Sequence, residues 1–116
     1  MNPKLLVLVT SDPRTSARPA EAVRIAAGVG TWKKADVTLY LHGPAVLALG
    51  EWVDALVDED NFTRYLPIVG ELGRPVYVQE DAPGLAELGT PSLRHQPVSP
   101  AGLARLLADA TYVMRF

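Results

Sequence analysis

His42 stands at the end of an apolar run, "TLYL" (38–41), and is followed at once by Gly43 and Pro44. An imidazole titrates nearest neutral pH of all side chains and can serve as acid, base or metal ligand. Gly43 permits either positive φ or a close backbone approach, and Pro44 suits the first position of a helix. A strand that ends this way can aim His42 into a pocket at the rim of a sheet. It can also be an ordinary turn, with the imidazole capping a carbonyl. A second chemical cluster is "SDPRTSAR" (11–18), where Asp12, Arg14 and Arg18 stand with three hydroxyl residues just ahead of a helix start. Two guanidinium groups beside free helix N–H groups could hold a phosphate, sulfate or carboxylate. In the competing reading Asp12-Pro13 starts a surface turn and both arginines stay in water. A third cluster is Gln79, Glu80 and Asp81, whose adjacent carboxylates could do acid–base work if burial separated their pKa values. The Ala-Pro-Gly that follows favours solvent exposure instead.

Other chemistries are excluded or unsupported. The chain has no cysteine, which removes disulfides, thiolate metal sites and thiol nucleophiles. His42 and His95 lie in separate segments, and neither has a ligand partner three or four residues away, so no metal site is expected. There is no Gly-rich phosphate motif and no nucleophile elbow, and the sequence implies no cofactor. A net charge of −2, with 11 Lys and Arg scattered apart from Lys33-Lys34, offers no basic field for nucleic acid or an anionic membrane. The run of five apolar residues in "MNPKLLVLVTSD" is too short for a signal-peptide core or a membrane span, so a cytoplasmic location is the expectation. Asn61-Phe62-Thr63 is then a chance match to a glycosylation sequon.

The elements that must position these clusters alternate in type. "KLLVLVT" (4–10) is almost continuously apolar, as a strand buried on both faces of a parallel sheet reads. "DVTLYLH" (36–42), "PVYVQ" (75–79) and "TYVMRF" (111–116) repeat the type. "SLRHQPV" (92–98) is a weaker candidate, because Pro97 must sit at a strand end. Pro19 and Glu21 open a helix that Gly28 or Gly30 can close, with Ala20, Val23 and Ala27 on one face. Phe62, Leu66, Val69 and Leu72 form one stripe of a helix over 61–72, which Gly73 stops. Pro67 would cost about 3 kcal/mol inside it, so this helix is expected to begin near Thr63 or to kink. Ser99-Pro100 caps a third helix carrying Leu103, Leu106 and Leu107. Short helices fit 44–49 and 83–88, whereas "GEWVDALVDED" (50–60) has no clear period.

At 116 residues, 48% hydrophobic and 21% charged, the chain is expected to form one globular domain over 1–116. The alternation implies crossover connections and a three-layer α/β/α sandwich with a mainly parallel sheet of about five strands. Ligands of such folds bind at the carboxyl ends of the strands, which puts all three clusters on one rim. Trp52, with Val53, Leu56 and Val57, makes the 50–60 segment more apolar than a solvated loop needs. That marks a surface for self-association.

The "TSDP" turn after the first strand, the "AEAVRIAAG" helix, "VTLYLHGPAVLAL" and the "GRPVYVQ" strand follow one another in an order that resembles the DsrE/DsrF-like family. Better-known members of that family belong to sulfur-relay systems. The resemblance covers most of the chain, and the stretch His42-Gly43-Pro44-Ala45-Val46 is its most specific part. It implies a small α/β/α domain assembled into trimers or hexamers. In sulfur-carrying members a cysteine just after the third strand holds a persulfide, and that position falls here at Gln79 or Glu80. Neither side chain can carry sulfane sulfur. The resemblance with this departure implies a non-catalytic, self-assembling domain whose rim (Asp12, Arg14, Arg18, His42, Gly43, Pro44) receives a small ligand, an anion being one candidate, or a protein partner. Two alternatives stand beside it. One is an accessory subunit of a sulfur-relay complex whose active cysteine lies on another chain. The other is an enzyme using His42 with rim carboxylates.

Overall fold

Five apolar residues in a row, Leu5 to Val9, leave no polar face, and all five are buried in strand β1 (Lys4–Val9) at the interior of a sheet. The computed structural model describes residues 2–116. Four more strands join β1: β2 (Asp36–Leu41), β3 (Val76–Gln79), β4 (His95–Val98) and β5 (Tyr112–Arg115). They lie in the order β4-β3-β2-β1-β5, and every pair is parallel. The expected α/β architecture with a parallel five-stranded sheet is therefore present.

Helix α1 (Arg18–Trp32) connects β1 to β2, and a short 3-10 turn (Gly43–Leu49) followed by helix α2 (Glu59–Gly70) connects β2 to β3. A second 3-10 turn (Pro83–Glu87) leads to β4, and helix α3 (Pro100–Asp109) leads from β4 to β5. The first three connections step along the sheet in one direction and pack on one face. There Leu5, Val7, Val9, Leu39, Leu41, Val76 and Val78 join Ala20, Val23, Phe62 and Leu66 in the main core. The last connection returns across the sheet to the far side of β1. A right-handed crossover that travels the opposite way must pass over the opposite face. Helix α3 is therefore alone on the second face, where Leu6, Leu8 and Tyr40 form a small cluster with half-buried Tyr77, Val98, Leu103 and Leu106.

Three helix boundaries differ from expectation, one of them the end of α2, which stops at Gly70 rather than at 72. Helix α1 does not stop at Gly28 or Gly30 but runs to Trp32, and Lys33 ends it in the left-handed conformation (φ 61°). Gly30 serves packing instead, because a Cβ there would collide with the Leu72 side chain. Helix α2 does not begin near Thr63 but at Glu59, behind a left-handed Asp58 (φ 55°), with Pro67 retained inside. Asp tolerates that conformation better than most residues, and Glu59 and Asp60 favour the positive end of the helix. Pro67 costs about 3 kcal/mol. Burial of Phe62, Leu66 and Val69, at about 1.5–3 kcal/mol each, outweighs that cost. Pro97 sits one residue inside β4, and it is tolerated because β4 is the edge of the sheet. Ser99 accepts a hydrogen bond from the Gly102 N–H, as its place before Pro100 leads one to expect.

Candidate functional site

Strand β2 carries Tyr40 toward α3, and alternation returns the chain to that side at His42, the first residue beyond the strand. Their side chains meet: the Tyr40 hydroxyl lies 3.0 Å from His42 Nδ1. Tyr40 is buried, and this burial, with the Asp81 carboxylate adding to it, raises the phenol pKa. A phenol that keeps its proton can donate to Nδ1, an arrangement that puts the proton of a neutral His42 on Nε2. The backbone fixes the residue further, because the His42 N–H donates to Val9 O at 2.9 Å and its carbonyl accepts from Ala45 N at 3.1 Å.

Gly43 follows at φ +57°, and a Cβ built there would meet nothing within 4 Å. Of the two roles open to it, the left-handed conformation is the one in use and close approach is not. Pro44 then starts the 3-10 turn. The Gly43 N–H is already satisfied by Gln79 Oε1 at 2.8 Å. Gln79 ends β3 and reaches across to the turn that follows β2, and so closes the rim between the two strands. Glu80 and Asp81 are exposed, as the following Ala-Pro-Gly implies. The Glu80 N–H donates to Val98 O.

The first rim loop is engaged with itself. Arg14 grips Asp12 with two parallel hydrogen bonds, Nε to Oδ1 at 3.0 Å and Nη2 to Oδ2 at 2.9 Å. The Arg14 N–H adds a third at 2.9 Å. These bonds hold the Asp12 carboxyl below its ordinary pKa. Arg18 turns away toward β5, where Nη2 donates to Arg115 O at 3.0 Å and the guanidinium lies 6.0 Å from the Phe116 ring centre. Of the six rim residues singled out in the sequence, His42, Gly43 and Pro44 form one unit with Tyr40 and Gln79. Asp12 with Arg14 forms a second unit, and Arg18 belongs to a third.

The hydrogen-bond partner of the His42 ring is a phenol rather than a carboxylate, which is not the acid–base pair that an enzyme reading calls for. His95 lies at the start of β4, at the opposite end of the sheet, with Nδ1 3.4 Å from Leu93 O. Among the described residues no three His, Asp or Glu side chains are grouped to hold a metal ion. No helix among them is long and apolar enough to cross a membrane.

Away from the rim, a cleft of about 390 Å³ opens between α2 and the segments 50–53 and 90–93, lined by Val53, Phe62, Leu66, Pro67 and Leu93. Trp52 sits beside it, 68% exposed, with its ring against Gly89. The sequence pattern had not marked Tyr40 or assigned Gln79 a contact. An i, i+2 spacing on a strand, which puts Tyr40 on the side of His42, was the signal available for the first.

No family model matches the chain, and a search of curated proteins returns no match. Solved structures do match. The crystal structure of the ychN protein from E. coli superposes with a TM-score of 0.77 at 20% identity, covering 98% of this chain and 99% of that one. At that identity the likeness establishes the fold alone.

Proposed function

We propose that this chain is a non-catalytic domain of the DsrE/DsrF-like type that assembles with copies of itself and offers its rim to a partner or a small ligand. The observation that carries the reading is the bond from the Gly43 N–H to Gln79 Oε1. The resemblance puts the reactive thiol of sulfur-carrying members at Gln79 or Glu80, and of these Gln79 is an amide spent on bracing a neighbouring turn while Glu80 is an exposed carboxylate. Self-assembly draws support from the apolar side chains left in solvent, among them Trp32, Trp52 and Tyr112, each more than 60% exposed.

A second reading, an accessory subunit of a sulfur-relay complex, rests on the same Gln79. A subunit that has lost the thiol can still supply surface to a chain that keeps it.

One experiment addresses both. The purified protein is incubated with a persulfidated desulfurase, desalted and weighed by mass spectrometry, while light scattering behind a sizing column gives the native mass. The expected outcome is no gain of sulfur and a mass that is a multiple of 12.5 kDa. A stable, reductant-sensitive gain of one sulfur overturns the non-catalytic reading. A clean monomer at micromolar concentration overturns self-assembly.

A further inference from the structure

The two edges of the sheet are built differently. At the β4 edge the strand reads His95-Gln96-Pro97-Val98: polar at two positions, and lacking a backbone donor at a third. That is how an edge is made unfit for further pairing. At the β5 edge the strand reads Tyr112-Val113-Met114-Arg115 and all four residues are exposed. Tyr112 is 64%, Val113 46% and Met114 37% exposed. By their register with β1, Tyr112 and Met114 share the face of Leu5 and Val7, and Val113 shares the face of Leu6. The edge is thus apolar on both faces. Leu107, on the last turn of α3, is exposed as well.

The backbone of this edge is also available. Phe116 directs both its N–H and its carbonyl at β1, bonding Leu8 O and Thr10 N. Backbone groups alternate sides along a strand, so those of Val113 and Arg115 point to the open edge. The Arg115 carbonyl is occupied by Arg18, which leaves Val113 at the centre of the free stretch.

We infer that this edge is the contact through which two copies of the chain associate, β5 pairing antiparallel with β5 of the second copy about a two-fold axis at Val113. The inference rests on the self-assembly proposed above and names its surface. The occupant follows from three facts. An unpaired strand edge is satisfied best by another strand edge, and the β4 edge is blocked by Pro97. A β5–β4 contact would also propagate without closing, whereas β5–β5 closes as a dimer. A surface that meets its own copy sets like beside like, and residues 111–114 carry no charge to repel itself. In the register centred on Val113, Tyr112 faces Met114 of the second copy on one side of the sheet, an aromatic–thioether pair of the kind that stabilises such ladders. A ladder of four residues buries less than the roughly 800 Å² per partner of a standard interface, so surface flanking β5 must contribute as well.

The absence of cysteine makes the test direct. Directly opposed residues of an antiparallel ladder have Cα atoms about 4.5–5.5 Å apart, within disulfide reach. Val113→Cys in the full chain, oxidised at micromolar concentration, is expected to run as a covalent dimer on a non-reducing gel. Gly28→Cys, exposed on α1, reports random collision, and Trp52→Cys reports the rival surface. An oligomeric wild type in which Val113→Cys stays uncrosslinked, or forms dimer no faster than Gly28→Cys, overturns this interface and leaves self-assembly standing. A monomeric wild type removes both. As a second variant, Val113→Pro takes away an outward N–H without breaking a bond to β1, and is expected to lower the native mass to that of a smaller species. A folded Val113→Pro protein of unchanged mass also overturns the interface. If that variant fails to fold, the cysteine result decides alone.

Discussion

The two faces of the sheet are covered to different depths. Under α1, α2 and the two 3-10 turns, alternate residues of three strands are sealed into one continuous core. Under α3 only Leu6, Leu8 and Tyr40 are buried, and α3 itself has no buried residue. The difference follows from topology, since three crossovers step one way across the sheet and one returns. It also separates two tasks. The sealed face supplies most of the apolar burial that stabilises the domain. The thin face carries Tyr40 and, at its rim, His42 and Gln79, where side chains have room to meet something else.

The largest effect expected from this contrast is on stability. Phe62→Ala empties a fully buried aromatic site on the sealed face and is expected to cost about 3–5 kcal/mol. Leu106→Ala, on a half-buried position of α3, is expected to cost under about 2 kcal/mol. Urea unfolding of both variants measures the ratio. Equal losses would break the contrast and mean that α3 is covered by a second molecule in solution.

A smaller effect is expected at the turn between β2 and the first 3-10 turn. Gly43→Val forces a β-branched residue to φ +57° and is expected to cost about 1–3 kcal/mol. Gly43→Asn is expected to cost less than half of that, because Asn visits this region and a Cβ meets no neighbour there. Thermal melts distinguish the two. Equal tolerance of Val and Asn would mean that the turn does not demand the left-handed conformation.

The smallest effect is expected from Tyr40→Phe, which removes the donor to His42 Nδ1 and little else. The expected cost is about 1 kcal/mol. The informative readout is the ¹⁵N spectrum of the imidazole. Wild type should hold the Nε2–H tautomer, and the variant should show a mixture. An unchanged tautomer would mean that Tyr40 does not set the state of His42.

Much of this architecture was legible because burial on both faces of a parallel strand writes itself as an unbroken apolar run, as in Leu5 to Val9. Helix stripes such as Phe62, Leu66 and Val69 were legible for a similar reason. Helix ends were harder. Lys33 and Asp58 adopt positive φ where no glycine announces it, and Pro67 is held inside α2 by tertiary burial that local propensity does not record. The site was legible only as a set of loops sharing a rim. Which groups meet depends on partners far apart in the chain: Gly43 with Gln79, 36 residues on, and Arg18 with Arg115, 97 residues on. Arg14 and Arg18 look equivalent as residues ahead of a helix, yet one folds back on Asp12 and the other reaches the last strand.

The order in which the strands are made differs from the order in which they lie. Strand β1 is synthesised first, yet its outer neighbour β5 is synthesised last, and Lys4 waits for Thr111, 107 residues later, to complete its bonds. At ribosomal rates of about 5–20 residues per second, one side of β1 stays unpaired for roughly five to twenty seconds. During that interval β2 can already have paired with the other side of β1. Until then the outer edge of β1 has no partner in its own chain, and a neighbouring chain on a crowded polysome can meet that edge before β5 arrives to cover it.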